Sequence, residues 1–497
     1  MPWRSIIPRL AIVAMLTGAS CSSSGASSTP ATSSTAPATT AAPTTAASTT
    51  EAPSTTVAPP PAVATASTCP DGAATTLSCF TVAVPVDPAV PGGKSVQLAV
   101  TVRRADSSSW TAPVLSILGT TPTYPWTDPT APNVFPGHDM VWVDQRGAGR
   151  SEGVTDCPQL PTYAAEIGTA HLGPQAVAAF KACFAKAEQS VVPFASIFDH
   201  GVVASDISVV RRALGITTWA IYAGSAGADI ALHVVDQDPT SVTAIVSRTP
   251  TAVGAGVSPN NLAAAFSRFA ADCASAPKCK KNGDLEQALA AAYARLATPV
   301  TTKTTETGTG TPIVLDQRGV LENMQAIGSV ALAPTLPGLL TGGADGSTSE
   351  AVAAAIAGAH VDPFAWAFVS RCQNEDYASP GLVTTANDQA GIFKGFTLKP
   401  FCDAVGPLPQ YSQRAVPTSK VPVLAVLPSY DPRSSVTTIK QVFSGFANTT
   451  IIEVPRIVDP LQQLTDCFYA TANAFLAAPS APLDARCLTA PAISTLP

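Results

Sequence analysis

The stretch Tyr222–Asp229 reads YAGSAGAD and places a serine between small residues, directly after an apolar run. The preceding TTWAIY, residues 217–222, predicts a strand, and the following GADIALHVV, residues 227–235, predicts a helix. A tight strand-to-helix turn needs small neighbours around the serine, and it aims the hydroxyl and the helix N-terminus at one point. The stretch therefore predicts a nucleophile at Ser225, with the Ala226 amide as an oxyanion-hole donor. The alternative is a small-residue turn that carries an ordinary serine.

Strand and helix patterns alternate on both sides of this turn. Helical spacing of apolar residues from Val203 to Leu214 predicts a helix, and short apolar runs predict strands at 80–86, 96–104, 421–427 and 449–454. The runs 112–118 and 139–144 are continuously apolar, which suits strands that are covered on both faces. Ala-rich helical patterns, with few strand signals, fill residues 255–400. The sequence thus predicts an α/β fold, with core segments at 69–254 and 401–497 and a helical lid inserted between them.

The N-terminal 21 residues have the features of an export signal. Arg4 and Arg9 precede the apolar run 10–16, and small residues lead to Cys21. The TGASC stretch resembles a bacterial lipobox, with Gly18 where Leu or Val is usual, and predicts lipidation of Cys21; an ordinary secretory signal is the alternative. We expect an exported chain that meets the membrane only through this anchor, or a secreted one.

Residues 22–68 consist almost wholly of Ser, Thr, Ala and Pro with a few Val. Such a composition cannot bury enough apolar area to offset the entropy of ordering the chain. We expect a disordered tether with a reach of roughly 40 to 145 Å, between coil and polyproline limits.

Ten of the eleven cysteines follow the tether, and an even number in an exported chain predicts disulfides. Sequence alone does not fix the connectivity, but the order of the chain favours five neighbouring couples: Cys69–Cys79, Cys157–Cys183, Cys273–Cys279, Cys372–Cys402 and Cys467–Cys487. No zinc-type spacing is present, so we expect no metal, and we expect no cofactor. A net charge of −6 gives no basic surface for nucleic acid.

Several motifs, in this order, resemble the tripeptidyl aminopeptidase-like branch of the α/β-hydrolases, which is related to prolyl aminopeptidases. They span nearly the whole globular part: CFTVAVPVD (79–87), DMVWVDQRGAGRS (139–151), DISVVRRALG (206–215), YAGSAG (222–227), CASAPKC (273–279) and VPVLAVLPSYDP (421–432). The resemblance implies an α/β-hydrolase fold with a helical lid and a catalytic triad in the order serine, acid, histidine.

At the family's triad-acid position this chain also has an acid, but at the family's histidine position it has no histidine. Asp431 follows the strand 421–427, where the family carries its acid, although an Asp-Pro turn residue is the alternative. The family's histidine position falls on Asp459, and no histidine occurs after His360. Aspartate, with a reference pKa near 4, is a far weaker base for a serine hydroxyl than imidazole.

The oxyanion turn also departs from the family pattern. Where the family has Gly-Gly-Pro-Gly, this chain has Thr120 and Thr121, whose amides can still donate but whose β-branched side chains resist positive φ.

His200 is the one histidine with the topology of a substitute base, because it lies just before the predicted helix 202–214, whose start is at the same sheet edge as Ser225. A loop histidine without a catalytic task is the alternative. Glu375 and Asp376 are candidates for holding a substrate's amino terminus, or they lie in a solvated loop.

Two functions from different classes remain open on the sequence, while a structural wall-associated lipoprotein without a ligand is disfavoured by the nucleophile elbow. One is a surface serine hydrolase that acts on a peptide or small ester. The other is a catalytically inactive pseudoenzyme that binds a peptide, lipid or protein ligand.

Overall fold

The structure is a computed structural model that describes residues 12–13, 62–106, 111–118, 133–153, 174–190, 192, 196–197, 199–251, 259–305, 312–317, 359–360, 403, 416–433, 435–457, 459 and 464–489. Within these ranges, no helix has both the length and the apolar character needed to cross a membrane.

A nine-stranded sheet forms the centre of the molecule. Its strands are, in chain order, β1 Ala64–Ser67, β2 Leu77–Pro85, β3 Ser95–Arg103, β4 Thr111–Leu118, β5 His138–Val143, β6 Trp219–Gly224, β7 Val242–Arg248, β8 Val423–Pro428 and β9 Thr449–Val454. The order across the sheet is β9-β8-β7-β6-β4-β5-β3-β2-β1. The six strands β4 to β9 pair in parallel, and β1, β2 and β3 pair antiparallel at one side.

Helices cover both faces of the sheet, as the continuously apolar strands predicted. They are α1 Pro174–Ala187, α2 His200–Ala213, α3 Gly227–Gln237, α4 Pro259–Ser275, α5 Leu285–Arg295, α6 Val436–Val442, α7 Thr465–Ala477 and α8 Arg486–Thr489. On one face, Ile221 of β6 packs in a core cluster with Ile207 of α2 and Ile230 of α3. On the other face, Tyr222 packs with Phe468 of α7. The mostly parallel sheet flanked by helices is the predicted architecture.

The sheet begins earlier than the sequence predicted. β1 lies within the segment 22–68 assigned to the tether, and it pairs with β2 from Ala64 opposite Val82 to Ser67 opposite Cys79. Most of its side chains are exposed. The composition therefore missed it, because this strand is held by backbone hydrogen bonds rather than by burial of apolar side chains.

Part of the region predicted to be a helical lid contains strands. The helices α4 and α5 form as expected, but Val300–Thr305 and Pro312–Leu315 then pair as an antiparallel hairpin. β-branched residues dominate the first of these strands, and this signal was outweighed by the surrounding Ala-rich pattern. Ala359–His360 also pairs with Ile12–Val13. The rest of the predicted lid lies outside the described residues.

Three disulfides join described cysteines: Cys69–Cys79, Cys273–Cys279 and Cys467–Cys487. Each of these bonds joins two cysteines that were predicted to pair because they are neighbours in the sequence. Cys183 is also disulfide-bonded. The remaining predicted partners, Cys157, Cys372 and Cys402, lie outside the described residues.

Candidate active site

The turn between β6 and α3 has the geometry of a nucleophile elbow. Ser225 follows the last residue of β6 directly and has a φ of 50°, in the left-handed region that non-glycine residues rarely adopt. A Cβ on the preceding Gly224 would lie 3.0 Å from Leu118 Cδ2 and 3.8 Å from Arg248 Nη2, so the glycine allows close approach of the neighbouring strands. The sharp turn places Ser225 at the carboxyl edge of the parallel strands.

Backbone strain is concentrated at this edge of the sheet. Among the described non-glycine residues, positive φ occurs at Ser225, Thr249 and Arg456, which follow β6, β7 and β9. Strained residues of this kind persist where the surrounding structure holds them, and they cluster at functional sites. The edge that the sequence assigned to the active site is thus the strained edge of the molecule.

The Ser225 hydroxyl is buried and has no proton acceptor among the described residues. The residue is 7% exposed, and its Oγ makes no hydrogen bond in the part of the chain that the structure describes. The Ser225 amide donates to Arg248 O at 3.2 Å, and its carbonyl accepts from the amides of Ala228 and Thr251. Ala226, which stands just before α3, makes no side-chain capping bond. The backbone of the elbow is therefore fixed, while no described group engages its hydroxyl.

Asp431, the predicted triad acid, is held by an arginine of its own loop. It is fully buried three residues after β8, and its Oδ1 accepts from Arg433 N at 2.9 Å and from Arg433 Nε at 2.8 Å. The negative charge of Asp431 raises the pKa of Arg433 above its ordinary value, against the effect of burial. A guanidinium thus occupies the acid oxygen that would orient an imidazole in a triad.

Asp459, at the expected histidine position, is also close to an arginine. Its Oδ1 lies 3.5 Å from Arg248 Nη1, and both side chains are about one-fifth exposed. Asp459 also contributes to the raised pKa of Arg433. The charged groups at this edge therefore alternate between carboxylate and guanidinium, in the order Asp431, Arg433, Asp459 and Arg248.

Two tyrosines on the α7 face of the sheet, the buried Tyr222 and the partly buried Tyr469, interact electrostatically with Arg248. Burial raises the pKa of Tyr222 well above its ordinary value, although the positive charge of Arg248 opposes this shift. Burial likewise raises the pKa of Tyr469, whose ring centroid lies 6.2 Å from that of Tyr222. Both phenols are therefore protonated across the physiological pH range, and neither supplies a base.

His200, the predicted substitute base, is bonded to a different carboxylate. It begins α2, and its Nδ1 pairs with Asp229 Oδ2 in the first turn of α3. His233 Nε2 lies 3.7 Å from the same oxygen. The structure brings His200 to the nucleophile helix, as its topology predicted, but to Asp229 rather than to the Ser225 hydroxyl.

His138 lies at the amino end of β5, on the opposite edge from the elbow, where its Nδ1 contacts Ala112 O at 2.7 Å. The described residues hold no group of three His, Cys, Asp or Glu side chains that would bind a metal ion. Thr120, Thr121, Glu375, Asp376 and Cys21 lie outside the described residues.

The helix α4 holds the loop that carries the acid. Arg268 Nε donates to Ser429 O at 2.7 Å, and Asn261 Nδ2 donates to Arg433 O at 3.1 Å. Asp272 accepts from the Tyr430 hydroxyl at 2.7 Å and from Arg456 Nε at 3.3 Å. The predicted lid thus begins with a helix that fixes the loops after β8 and β9.

The sequence did not identify the two arginines of the site, Arg248 and Arg433, as site residues. Arg433 stands two residues after Asp431, a spacing that permits a bond within one loop, and this signal was available. Arg248 carried no local signal, because its relation to Asp459 depends on β7 and β9 lying on either side of β8.

Residues 119–298 match a family model described as alpha/beta hydrolase fold. No curated protein matches the chain. Similar solved structures include a proline iminopeptidase-related protein of Thermus thermophilus, which is 16% identical, with 80% of this chain and 97% of that chain covered and a TM-score of 0.34. The proline iminopeptidase of Mycobacterium smegmatis is 13% identical, with 80% and 97% covered and a TM-score of 0.31. A serine hydrolase of Cycloclasticus is 12% identical, with 81% and 100% covered and a TM-score of 0.37.

Proposed function

Because the chain has the α/β-hydrolase fold, we propose that it is an exported, lipid-anchored protein of this fold which binds its ligand at the elbow and does not hydrolyse it. The observation that carries the proposal is the Ser225 hydroxyl, which is buried and has no hydrogen-bond partner among the described residues. Serine catalysis of this type requires a base within hydrogen-bond reach of the hydroxyl.

The charged groups near the elbow support the same conclusion. A guanidinium has five donors and no acceptor and stays protonated in proteins, so Arg248 and Arg433 cannot take a proton from serine. Asp431 is occupied by Arg433, and Asp459 lies beside Arg248. Removing one triad member costs roughly 10⁴-fold to 10⁶-fold in rate in enzymes of this chemistry. The remaining groups favour binding over turnover.

A serine hydrolase is the second candidate, and the retained elbow favours it. In that case the protein is a tripeptidyl or prolyl aminopeptidase-like exopeptidase, or an esterase, with Ser225 as nucleophile, Asp431 as acid and His200 as substitute base. Catalytic hydrogen bonds are often long before substrate binds, so His200 would have to leave Asp229 and reach the hydroxyl in the complex.

Labelling with a fluorophosphonate probe separates the two candidates. We expect the purified parent protein to label no faster than Ser225→Ala, because an unassisted serine hydroxyl is a weak nucleophile at neutral pH. Rapid labelling of the parent that is lost in Ser225→Ala would overturn the proposal in favour of the hydrolase, and its loss in His200→Ala as well would identify His200 as the base.

The anchor is tested separately from the site. We expect the parent chain, expressed in a bacterium that processes lipoproteins, to incorporate labelled palmitate and to sediment with membranes. Cys21→Ser is expected to abolish both, and a parent chain without label would make the protein a secreted one.

A further inference from the structure

Three neighbouring residues around the elbow carry buried polar atoms without partners among the described residues. Ser225 Oγ, Thr251 Oγ1 and Arg248 Nε make no hydrogen bond within that part of the chain, although Ser225 and Thr251 are at least nine-tenths buried. Backbone bonds hold the three residues together, since Ser225 N donates to Arg248 O at 3.2 Å and Thr251 N donates to Ser225 O at 3.3 Å. An unsatisfied buried polar atom destabilises a folded protein, so three at one turn require an explanation.

The groups at this turn are mainly donors. Arg248 Nε can only donate, and the two hydroxyls can donate as well as accept. The 11-residue helix α3 begins at the same turn, with no side-chain cap, and its N-terminus favours negative charge. The site is therefore complementary to a ligand that offers acceptor atoms and carries negative charge.

The balance of fixed charges favours a ligand with a single negative charge. Arg248 is only partly compensated, because Asp459 lies 3.5 Å away, whereas Arg433 is fully engaged by Asp431 at 2.8 Å. Asp229, in the first turn of α3, is paired with His200. The helix N-terminus adds about half a positive charge. A monoanion suits this field, and the planar fork of Arg248 matches a carboxylate.

We propose that the elbow of this protein binds the carboxylate of a small organic acid, with Ser225, Thr251, Arg248 and the amide of Ala226 as donors. The proposal rests on the proposed function, since a hydrolase would instead act on a neutral ester or amide. A fatty acid and the free C-terminus of a short peptide present the same group, and the structure assigns the group rather than the rest of the molecule.

Calorimetric titration of the purified full-length chain tests the proposal, with octanoate and N-acetyl-dialanine as the two acids. We expect at least one acid to bind, and we expect octanamide and N-acetyl-dialanine amide, which lack the charge, to bind at least tenfold more weakly. The acid that binds more tightly identifies the source of the carboxylate. Equal binding of acids and amides, or no binding of either acid, would refute the proposal.

Replacing the two partners of the Arg248–Asp459 ion pair should change the affinity for the acid in opposite directions. Arg248→Gln is expected to weaken acid binding at least tenfold, and Asp459→Asn to strengthen it severalfold because it removes the competing carboxylate. Arg104→Gln is the matched control, because Arg104 pairs with Asp139 at the opposite edge of the sheet, and it should leave binding unchanged. If Arg248→Gln does not fold, the result for Asp459→Asn decides, and weaker or unchanged binding there contradicts the proposal.

The failure of this inference and that of the proposed function are distinguishable. Labelling of Ser225 by the fluorophosphonate probe would refute the proposed function whatever the acids do. If the chain neither binds the acids nor labels with the probe, the carboxylate-binding proposal is refuted and the proposed function stands.

Discussion

Ser225 combines two features that each destabilise a folded protein: a left-handed backbone and a buried hydroxyl without a partner among the described residues. Left-handed φ costs roughly 1–2 kcal/mol in a non-glycine residue, and the unpaired hydroxyl adds a similar amount. Such costs are retained in proteins where a site needs them.

We therefore expect Ser225→Ala to raise the free energy of unfolding by about 1 kcal/mol, because it removes the unpaired hydroxyl and leaves the backbone unchanged. Ser241→Ala is the matched control. Ser241 is also buried, but its Oγ donates to Asp238 O at 2.8 Å, so loss of this hydroxyl should destabilise the protein by about 1 kcal/mol. Urea unfolding measures both, and a destabilised Ser225→Ala would mean that the hydroxyl has a partner.

The pairing of Asp431 with Arg433 determines what is needed to restore catalysis. We expect Asp459→His alone to gain little, because the guanidinium still holds the acid. Arg433→Gln combined with Asp459→His lets Asp431 orient the new imidazole, and fluorophosphonate labelling should rise at least tenfold over the parent. Adding Ser225→Ala must abolish the gain. A double variant that labels no faster than the parent would show that the acid is misplaced for a triad.

At this scale the sequence predicted residues that follow from local pattern. The strand-to-helix turn at Ser225 could be placed by its neighbours along the chain, whereas the roles of Asp431 as acid and of Asp459 at the histidine position were implied by the family resemblance and stay predictions. The partnership of Arg248 with Asp459 could not be placed by local pattern, because it joins residues 211 positions apart through the strand order. The interaction of His200 with Asp229 likewise depends on the side-by-side packing of α2 and α3.

Among the elements, a buried ion pair ties the loop after β5 to α2. Arg146 is fully buried and donates to both oxygens of Asp206, through Nε at 2.7 Å and Nη2 at 2.6 Å. Desolvation by burial raises the pKa of Asp206 to about 6, although Arg146 opposes the shift. The carboxyl thus binds a proton more readily in the folded chain than in the unfolded one.

This linkage predicts a pH dependence with a definite sign. Because the folded pKa lies above the unfolded value, the contribution of Asp206 to the free energy of unfolding rises as pH falls from 7 towards 4. Between pH 7 and pH 5, the parent should gain about 1 kcal/mol relative to Asp206→Asn. Parallel urea unfolding of both proteins at the two pH values measures this difference. If the free energy of unfolding of the parent relative to Asp206→Asn does not increase between pH 7 and pH 5, Arg146 keeps the pKa of Asp206 in the folded chain near its ordinary value.

Element bounds were predicted well where apolar periodicity was strong and poorly where it was weak. The strand 449–454 has the predicted bounds, and the other strands and helices shift by a few residues. β1 and the hairpin of Val300–Thr305 with Pro312–Leu315 were missed, because backbone pairing stabilises them and their side chains carry little apolar pattern.

Across the whole molecule, disulfides close short loops at separate places around the sheet. The Cys467–Cys487 bond joins α7 to α8 over 20 residues, and the Cys273–Cys279 bond closes 6 residues at the end of α4. Because loop-closure entropy grows with loop length, the longer loop should contribute more stability.

We expect replacement of both Cys467 and Cys487 by alanine to lower the free energy of unfolding by about 3 kcal/mol, and replacement of Cys273 and Cys279 by about 2 kcal/mol. Urea unfolding of the two double variants under oxidising conditions gives the comparison. The reverse order would mean that the two bonds act mainly through native packing rather than through the unfolded chain.

The fold class was predictable from the sequence at this scale, because alternating strand and helix signals constrain the topology of a parallel sheet. Whether the protein turns over a substrate could not be predicted from the sequence, because turnover depends on how a few charged side chains are shared between loops.

The pairing of Asp431 with Arg433 within one loop has a consequence for how the sequence can change over time. The loop after β8 carries both members of an ion pair, so the charge of Asp431 is compensated without a basic residue from the loop after β9. Under the proposed function, substitutions in that second loop can be selected for what they recognise instead of what they catalyse.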